Sequence, residues 1–310
     1  MRIGFFGTPH FAVPSLKMLV SEGYNVVGVF CQPDRKSGRG HKVSFSPVKE
    51  TAIALGLPVF QFEKIKSAEA VKQIEDLELD LMITAAYGQI LSQAILDAPK
   101  KGCINVHASL LPKYRGAAPI QWAIINGETS TGVTTMFTDI GLDTGDMLQK
   151  RAVPIGREET GGELYERLAV LGADVLKDTL EALEDGTLVR TPQKEEEATY
   201  FPMLNKDMAK LDFSQSAKQL VDRVRALHPI MRCYASLNGM DIKLIQMKQT
   251  EAESAGKPGE VLVADPKKGL TIQTGKGAVE VIMIQYPGGK AMEAKASLLG
   301  KPIAVGDVFE

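Results

Sequence analysis

The residues whose chemistry stands out lie in the stretch CINVHASLLPKYRGAAP, residues 103–119. It opens as an apolar strand and places an amide, Asn105, and an imidazole, His107, two residues apart where the apolar run ends. Side chains along a strand alternate faces, so residues two apart project the same way and this pair can line one wall. A carboxylate, Asp143, follows 36 residues beyond the histidine in the loop GLDTGD, which can fold back over that wall. Together the three can donate hydrogen bonds to a developing negative oxygen and accept a proton. Each alone has a plainer explanation. A buried imidazole commonly just hydrogen-bonds nearby backbone, and an asparagine at a strand end commonly forms a turn.

Other chemistries find less support. His10, His41, His107 and His228 are the only histidines, and none stands at H-x-H or H-E-x-x-H spacing, so no metal site is expected. The stretch GFFGTPHF lacks the G-x-G-x-x-G spacing, which leaves Gly7 as a tight strand-to-helix turn rather than a phosphate cradle. Cys31, Cys103 and Cys233 are odd in number and far apart, so neither disulfides nor zinc is suggested and a reduced, cytoplasmic setting is expected. Neither a signal peptide at RIGFFGTPHF nor an apolar run of membrane-spanning length is read in the chain.

The elements that must position the candidate trio alternate in type. Apolar strands are expected at Arg2 to Phe6, Asn25 to Cys31, Leu57 to Phe60 and Leu79 to Ala85, separated by helical patterns at Phe11 to Glu22, after the cap Ser46-Pro47, and at Ser67 to Leu77. The strand from Cys103 follows, then a helix Ala117 to Asn126, strands Thr131 to Phe137 and Met147 to Ile155, and a long amphipathic helix Gly162 to Glu184. This alternation predicts an α/β domain, 1–186, with a mostly parallel sheet, whose functional groups collect beyond the carboxyl ends of the strands.

Residues 187–210 are acidic and loosely patterned, as a surface linker would be. From 211 to 310 the period changes. One helix, Ser214 to Leu227, precedes short alternating runs with hairpin signals at Asn238-Gly239 and Gly275-Lys276-Gly277, which suggest a small OB-like β-barrel, a common nucleic-acid platform. The 310 residues carry a net charge of -2, so the molecule as a whole does not read as a polyanion binder. From Lys206 onward, however, 15 Lys and Arg stand against 12 Asp and Glu. A second basic stretch, QPDRKSGRGHKVSFSPVK, carries Arg35, Lys36, Arg39, Lys42 and Lys49 around Gly38 and Gly40; it is either a mobile arm for RNA phosphates or a solvated face.

The runs GTPHFAVPSL, QPDRKSGRGHKVSFSPVK, AAYGQIL, INVHASLLPKYRGAAPIQWAI and GLDTGDM, spread along the first half of the chain, resemble those of the folate-dependent formyltransferases. The resemblance implies a Rossmann-like N-terminal formyltransferase domain and an OB-like tRNA-binding domain. It implies transfer of a formyl group from 10-formyltetrahydrofolate, as co-substrate, to the α-amino group of methionyl initiator tRNA, for translation initiation. Asn105, His107 and Asp143 become the catalytic trio. Ser109, Leu110, Leu111 and Pro112 line the folate site, and the loop of Tyr87, Gly88, Gln89, Ile90 and Leu91 borders the pterin pocket. Arg35, Lys36, Arg39 and Lys42 become tRNA contacts, with Arg39 the leading one. A monomer is expected.

Some positions stay open. Arg115 holds a ligand charge or caps a helix, and Trp122 is expected in the core. His10 and the run His228-Pro229-Ile230-Met231 depart from the family pattern without touching the trio. A small amine acceptor and a tRNA-binding protein without catalysis are the rival readings. The basic arm and C-terminal β-domain oppose the first, and the intact trio opposes the second.

Overall fold

Ile3 to Gly7 are buried without interruption, which is the pattern of a strand covered on both faces. In the computed structural model, which describes residues 1–37, 42–250, 256–300 and 303–310, this strand lies at the centre of a parallel sheet. The strands in chain order are β1 (Arg2–Gly7), β2 (Asn25–Phe30), β3 (Arg35–Ser37), β4 (Lys42–Ser44), β5 (Val59–Phe60), β6 (Leu81–Ala85), β7 (Cys103–His107), β8 (Arg115–Gly116), β9 (Ser130–Phe137), β10 (Met147–Pro154) and β11 (Tyr200–Phe201). The main sheet runs β10-β9-β7-β6-β1-β2-β5. From β5 to β7 every pairing is parallel, and β9 lies antiparallel to β7. The chain moves outward from β1 to β2 on one side and to β6 and β7 on the other. The crevice between β1 and β6 is therefore the switch point at which an α/β sheet presents its site.

By its contacts the chain forms two units. The first comprises residues 1–119, 131–153 and 165–201, and the second 120–130, 154–164 and 202–310. In the first, helices α1 (Val13–Ser21), α2 (Pro47–Ala54), α3 (Ala68–Asp76) and α4 (Gln93–Leu96) connect the parallel strands. Ser46 caps α2 by accepting a hydrogen bond from the Lys49 amide, with Pro47 at the first helical position, as its sequence predicted. Helices α5 (Pro119–Ile125) and α6 (Gly161–Glu184) follow. Phe6 and Phe30 stack with ring centres 4.2 Å apart in an apolar cluster that also holds Tyr87, Leu91 and Ile95.

Residues 187–201, expected as a loose linker, are more closely held than their composition implied. Thr191 and Met147 exchange backbone hydrogen bonds of 2.9 Å in both directions, and β11 lies parallel to β8. Backbone groups make these bonds while the acidic side chains stay outside, so composition carries no trace of them.

In the second unit α7 (Ala217–Leu227) begins with a capping box between Ser216 and Gln219. It buries Leu220, Val224 and Leu227 against Leu244, Ile272, Val281 and Ile284. These come from an antiparallel half-barrel sheet of β12 (Tyr234–Leu237), β13 (Met240–Thr250), β14 (Val261–Asp265), β15 (Gly269–Gln273) and β16 (Ala278–Gln285), in the order β12-β13-β16-β15-β14, with β17 (Met292–Glu293) on β16. Asn238 and Gly239 have φ of 51° and 76°, the left-handed pair their sequence signalled for a tight hairpin. Trp122 is only half-buried, a departure from the core position expected, and its Nε1 donates to the Pro202 carbonyl at 2.9 Å. Among the described residues no helix is long and apolar enough to cross a membrane.

The glycine of the GTPH turn has a packing explanation. A β-carbon at Gly7 would stand 2.6 Å from Ala12 Cβ and 3.1 Å from the Ala85 carbonyl oxygen. Gly7→Ala is expected to destabilise the first unit by about 1–3 kcal/mol, read as a lower urea midpoint for its unfolding transition. An unchanged midpoint would reopen a ligand-contacting role for that glycine.

Candidate active site

Asn105 occupies the last turn of buried strand before the sheet ends, and its placement follows from register. Thr84 of β6 lies beside Asn105 of β7, and the Thr84 hydroxyl donates to Asn105 Oδ1 at 2.8 Å. The carboxamide is thereby oriented, and its Nδ2 is the end left for a ligand, with no partner among the described residues. His107, two positions on, is 6% exposed. Its Nε2 lies 2.9 Å from the Tyr114 carbonyl oxygen. A carbonyl only accepts, so Nε2 carries the proton and Nδ1 is the nitrogen available for chemistry.

Nδ1 faces Asp143, whose Oδ2 is 3.7 Å away. That oxygen also accepts the Gly116 backbone amide at 2.8 Å. Asp143 itself is held in the left-handed region at φ 55°, an uncommon conformation for a residue with a side chain. The structure therefore brings His107 and Asp143 together, with Asn105 two residues before His107 at the carboxyl end of β7.

The loop expected to border a pterin leaves the carboxyl end of β6. Tyr87 and Leu91 are buried anchors, whereas Gly88 and Ile90 are exposed. Tyr87 packs edge-on against Phe6 at 5.3 Å, burial pushes its phenol pKa up, and its buried hydroxyl has no partner among the described residues. Gln89 accepts from the Ile65 amide at 2.8 Å and donates to the Phe62 carbonyl at 3.2 Å. Of the expected folate-site residues after β7, Ser109, Leu111 and Pro112 are buried and Leu110 is half-buried. Ser109 Oγ donates to the Lys113 carbonyl at 2.7 Å, so that hydroxyl shapes its own loop.

The basic arm is in part an antiparallel ribbon, with Lys36 of β3 paired to Val43 of β4 and Ser37 to Lys42. Arg39 lies outside the described residues. Arg35 is exposed and pairs with Glu63 at 2.7 Å, a surface contact that costs little to exchange for another anion. Lys49 is committed at the arm's base. Its ammonium reaches Asp34 Oδ2 at 2.5 Å and Gln61 Oε1 at 2.8 Å; the bond from Lys49, then the one that Gln61 Nε2 donates to Asp34 Oδ1 at 3.0 Å, hold the Asp34 carboxyl below its ordinary pKa.

Arg115, undecided in sequence, is 1% exposed and bonded to side chains of the first unit. Nη1 donates to Glu195 Oε2 at 2.7 Å and to the Tyr200 hydroxyl, and Nε donates to Gln193 Oε1 at 3.0 Å. Sequence reasoning missed these partners, as it missed Thr84 and the Gly116 amide. Gly116 alone carried a local signal. It has φ 94°, and a β-carbon there would stand 2.6 Å from the Phe201 carbonyl oxygen.

Comparison with known proteins gives the family. Residues 1–180 match the family described as formyl transferase, and residues 203–302 the formyl transferase C-terminal domain. The chain is 46% identical over 310 residues to a methionyl-tRNA formyltransferase of Alkaliphilus oremlandii, covering 100% of this chain and 99% of the relative. It is 47% identical over 310 residues to one of Acetivibrio thermocellus, again covering 100% and 99%. Among solved structures, an N-formyltransferase from Helicobacter canadensis in complex with folinic acid and dTDP-3-aminofucose shares the fold with a TM-score of 0.67 at 20% identity, over 91% of this chain and 98% of that one. HypX from Aquifex aeolicus in complex with tetrahydrofolic acid does so with a TM-score of 0.62 at 20% identity, over 100% of this chain and 50% of that one. With both family regions matched in order and full-length relatives well above 40% identity, the chain belongs to the formyl transferase family, alongside the methionyl-tRNA formyltransferases.

Proposed function

We propose that this protein transfers the formyl group of 10-formyltetrahydrofolate to the α-amino group of methionyl initiator tRNA. The single observation that carries the chemical half of this reading is the geometry of His107. Its Nε2 is tied to a carbonyl at 2.9 Å, so that Nδ1 meets the Asp143 carboxylate at 3.7 Å, and Asn105 stands two residues earlier on the same strand. The family relationship supports the choice of donor and acceptor.

Attack of the amine on the formyl carbon forms one C–N bond and puts negative charge on the former carbonyl oxygen. Collapse of that intermediate breaks the bond to N10 of the folate. Asn105 Nδ2 and protonated His107 Nδ1 donate to the oxygen, stabilising it where charge appears. Asp143 favours the imidazolium and takes the proton lost by the amine, directly or through water, for return to the departing nitrogen. No covalent bond to the protein is needed.

Residues 1–186 carry this chemistry in our reading, and residues 211–310 hold tRNA. Tyr87 to Leu91 and Ser109 to Pro112 line the folate site through backbone and the exposed edges of their loops. Arg35, Lys36, Arg39 and Lys42 meet the acceptor-stem phosphates, while Lys49 stabilises the base of the arm instead. The trio comes from one chain, so a monomer suffices. The three cysteines are free and buried, which accords with a reducing cytoplasm.

Asn105→Ala and His107→Ala are each expected to lower the transfer rate by about 10²–10³ without loss of fold, measured with charged initiator tRNA and 10-formyltetrahydrofolate. Near-normal turnover in either would remove that residue from the reaction. Asp143→Asn keeps the shape and removes the charge, and severe impairment is expected. For the arm, the slope of log affinity against log salt for charged initiator tRNA should become shallower by about 1–2 in the double variant Arg39→Ala, Lys42→Ala. An unaltered slope would exclude the arm from the tRNA site. The parent protein should prefer charged initiator tRNA over elongator methionine tRNA and over small amines.

A further inference from the structure

The segment from Arg190 to Phe201 lies outside the motifs and has no part in the function described so far, yet it reaches both the loop that follows β7 and the loop that carries Asp143. Arg190 donates to Asp146 at 3.0 Å, and Thr191 bridges to Met147. Thr199 accepts the Tyr114 amide at 2.8 Å through its hydroxyl, and Phe201 stacks on Tyr114 at 4.8 Å. Gln193 stands between the two loops. Its Oε1 accepts from Arg115 Nε at 3.0 Å, and its Nε2 donates to the carbonyls of Asp143 and Gly145 at 2.8 Å each.

The first of these bonds lands on the carbonyl of Asp143 and the second two residues on, at a point where the backbone is held in an uncommon conformation. Asp143 sits at φ 55°, and a residue with a side chain stays in that region only where its surroundings over-determine it. The Gly116 amide holds the carboxylate, but a side-chain contact does not prevent the peptide unit from turning. The Gln193 amide, seated on the carbonyls to either side of Thr144, does. We propose that Gln193 is a positioning residue for the formyl transfer proposed above, holding the Asp143 backbone so that its carboxylate meets His107 Nδ1. A misplacement of about 1 Å at such a site can cost about 10²-fold in rate.

The competing role, a tie that only secures Arg115, predicts a different response to Gln193→Glu. That change keeps an oxygen for Arg115 Nε while replacing the double donor with an oxygen that repels both carbonyls. Gln193→Met removes both ends without adding charge. Each variant is expected to lower kcat about 10- to 100-fold with KM for charged tRNA within about two-fold of the parent. Lys194→Ala, whose side chain pairs with Glu197 on the exposed surface, should leave both constants unchanged. In an Asp143→Asn background, Gln193→Glu should add less than about a two-fold loss, because both changes act through one carboxylate. Turnover of Gln193→Glu within two-fold of the parent, or a loss that persists undiminished in the Asp143→Asn background, overturns the proposal. A crystal structure of Gln193→Glu decides the same question without turnover. Asp143 leaving positive φ supports the positioning role, and Asp143 unmoved refutes it. A parent protein that transfers no formyl group refutes the functional reading instead, while the crystallographic outcome still judges Gln193.

Discussion

The bond between His107 Nε2 and the Tyr114 carbonyl, 2.9 Å long, is the interaction on which the site depends. It settles which ring nitrogen bears the proton, which edge of the imidazole faces Asp143, and how far the ring can turn. A neutral histidine exchanges tautomers freely in water; against a fixed carbonyl in a buried setting it does not. That carbonyl is in turn only as fixed as its loop. Tyr114 has φ 62°, a conformation that a residue with a side chain does not adopt for local comfort, while Gly116 at φ 94° occupies a region open to glycine. The loop keeps its shape because Thr199 holds the Tyr114 amide, β11 pairs with β8, and Phe201 stacks flat on the Tyr114 ring.

Rigidity is distributed unevenly, and the distribution suits the reaction. Asn105 and His107 stand on a strand paired on both sides, so their separation is set by the pleat. Asp143 stands on a loop and needs separate support for side chain and backbone, from Gly116 and Gln193 respectively. A proton acceptor that must meet an incoming amine benefits from approaching the fixed pair from outside the sheet.

The crevice side of the sheet is tied together by amide side chains. Gln32 donates to the Tyr87 carbonyl at 3.2 Å and accepts from Gln89 at 3.3 Å, while Gln61 donates to the Gln32 carbonyl at 2.8 Å and to Asp34 at 3.0 Å. The loop after β6 and the root of the basic ribbon therefore share one hydrogen-bonded frame. Uncharged amides serve this purpose without drawing on the positive charge that lies further out along the ribbon.

The strand and helix periods, the cap at Ser46-Pro47, the hairpin at Asn238-Gly239 and the strand bearing Asn105 and His107 were all legible in the sequence, because each is a local rule written within a few residues. The proximity of Asp143 was legible only through the motif as a whole, since 36 residues of chain separate it from His107. What no local rule contains is the choice of Nδ1, the hold of Thr84 on Asn105, the occupation of Arg115, and the work of residues 190–201, which read as a loose acidic linker. Those depend on hydrogen bonds to backbone groups tens of residues away, and a backbone carbonyl is the same in every residue. Sequence alone determined which side chains were available and which elements would present them. Tertiary structure decided how each was turned, because orientation is set by partners that the neighbouring residues do not name.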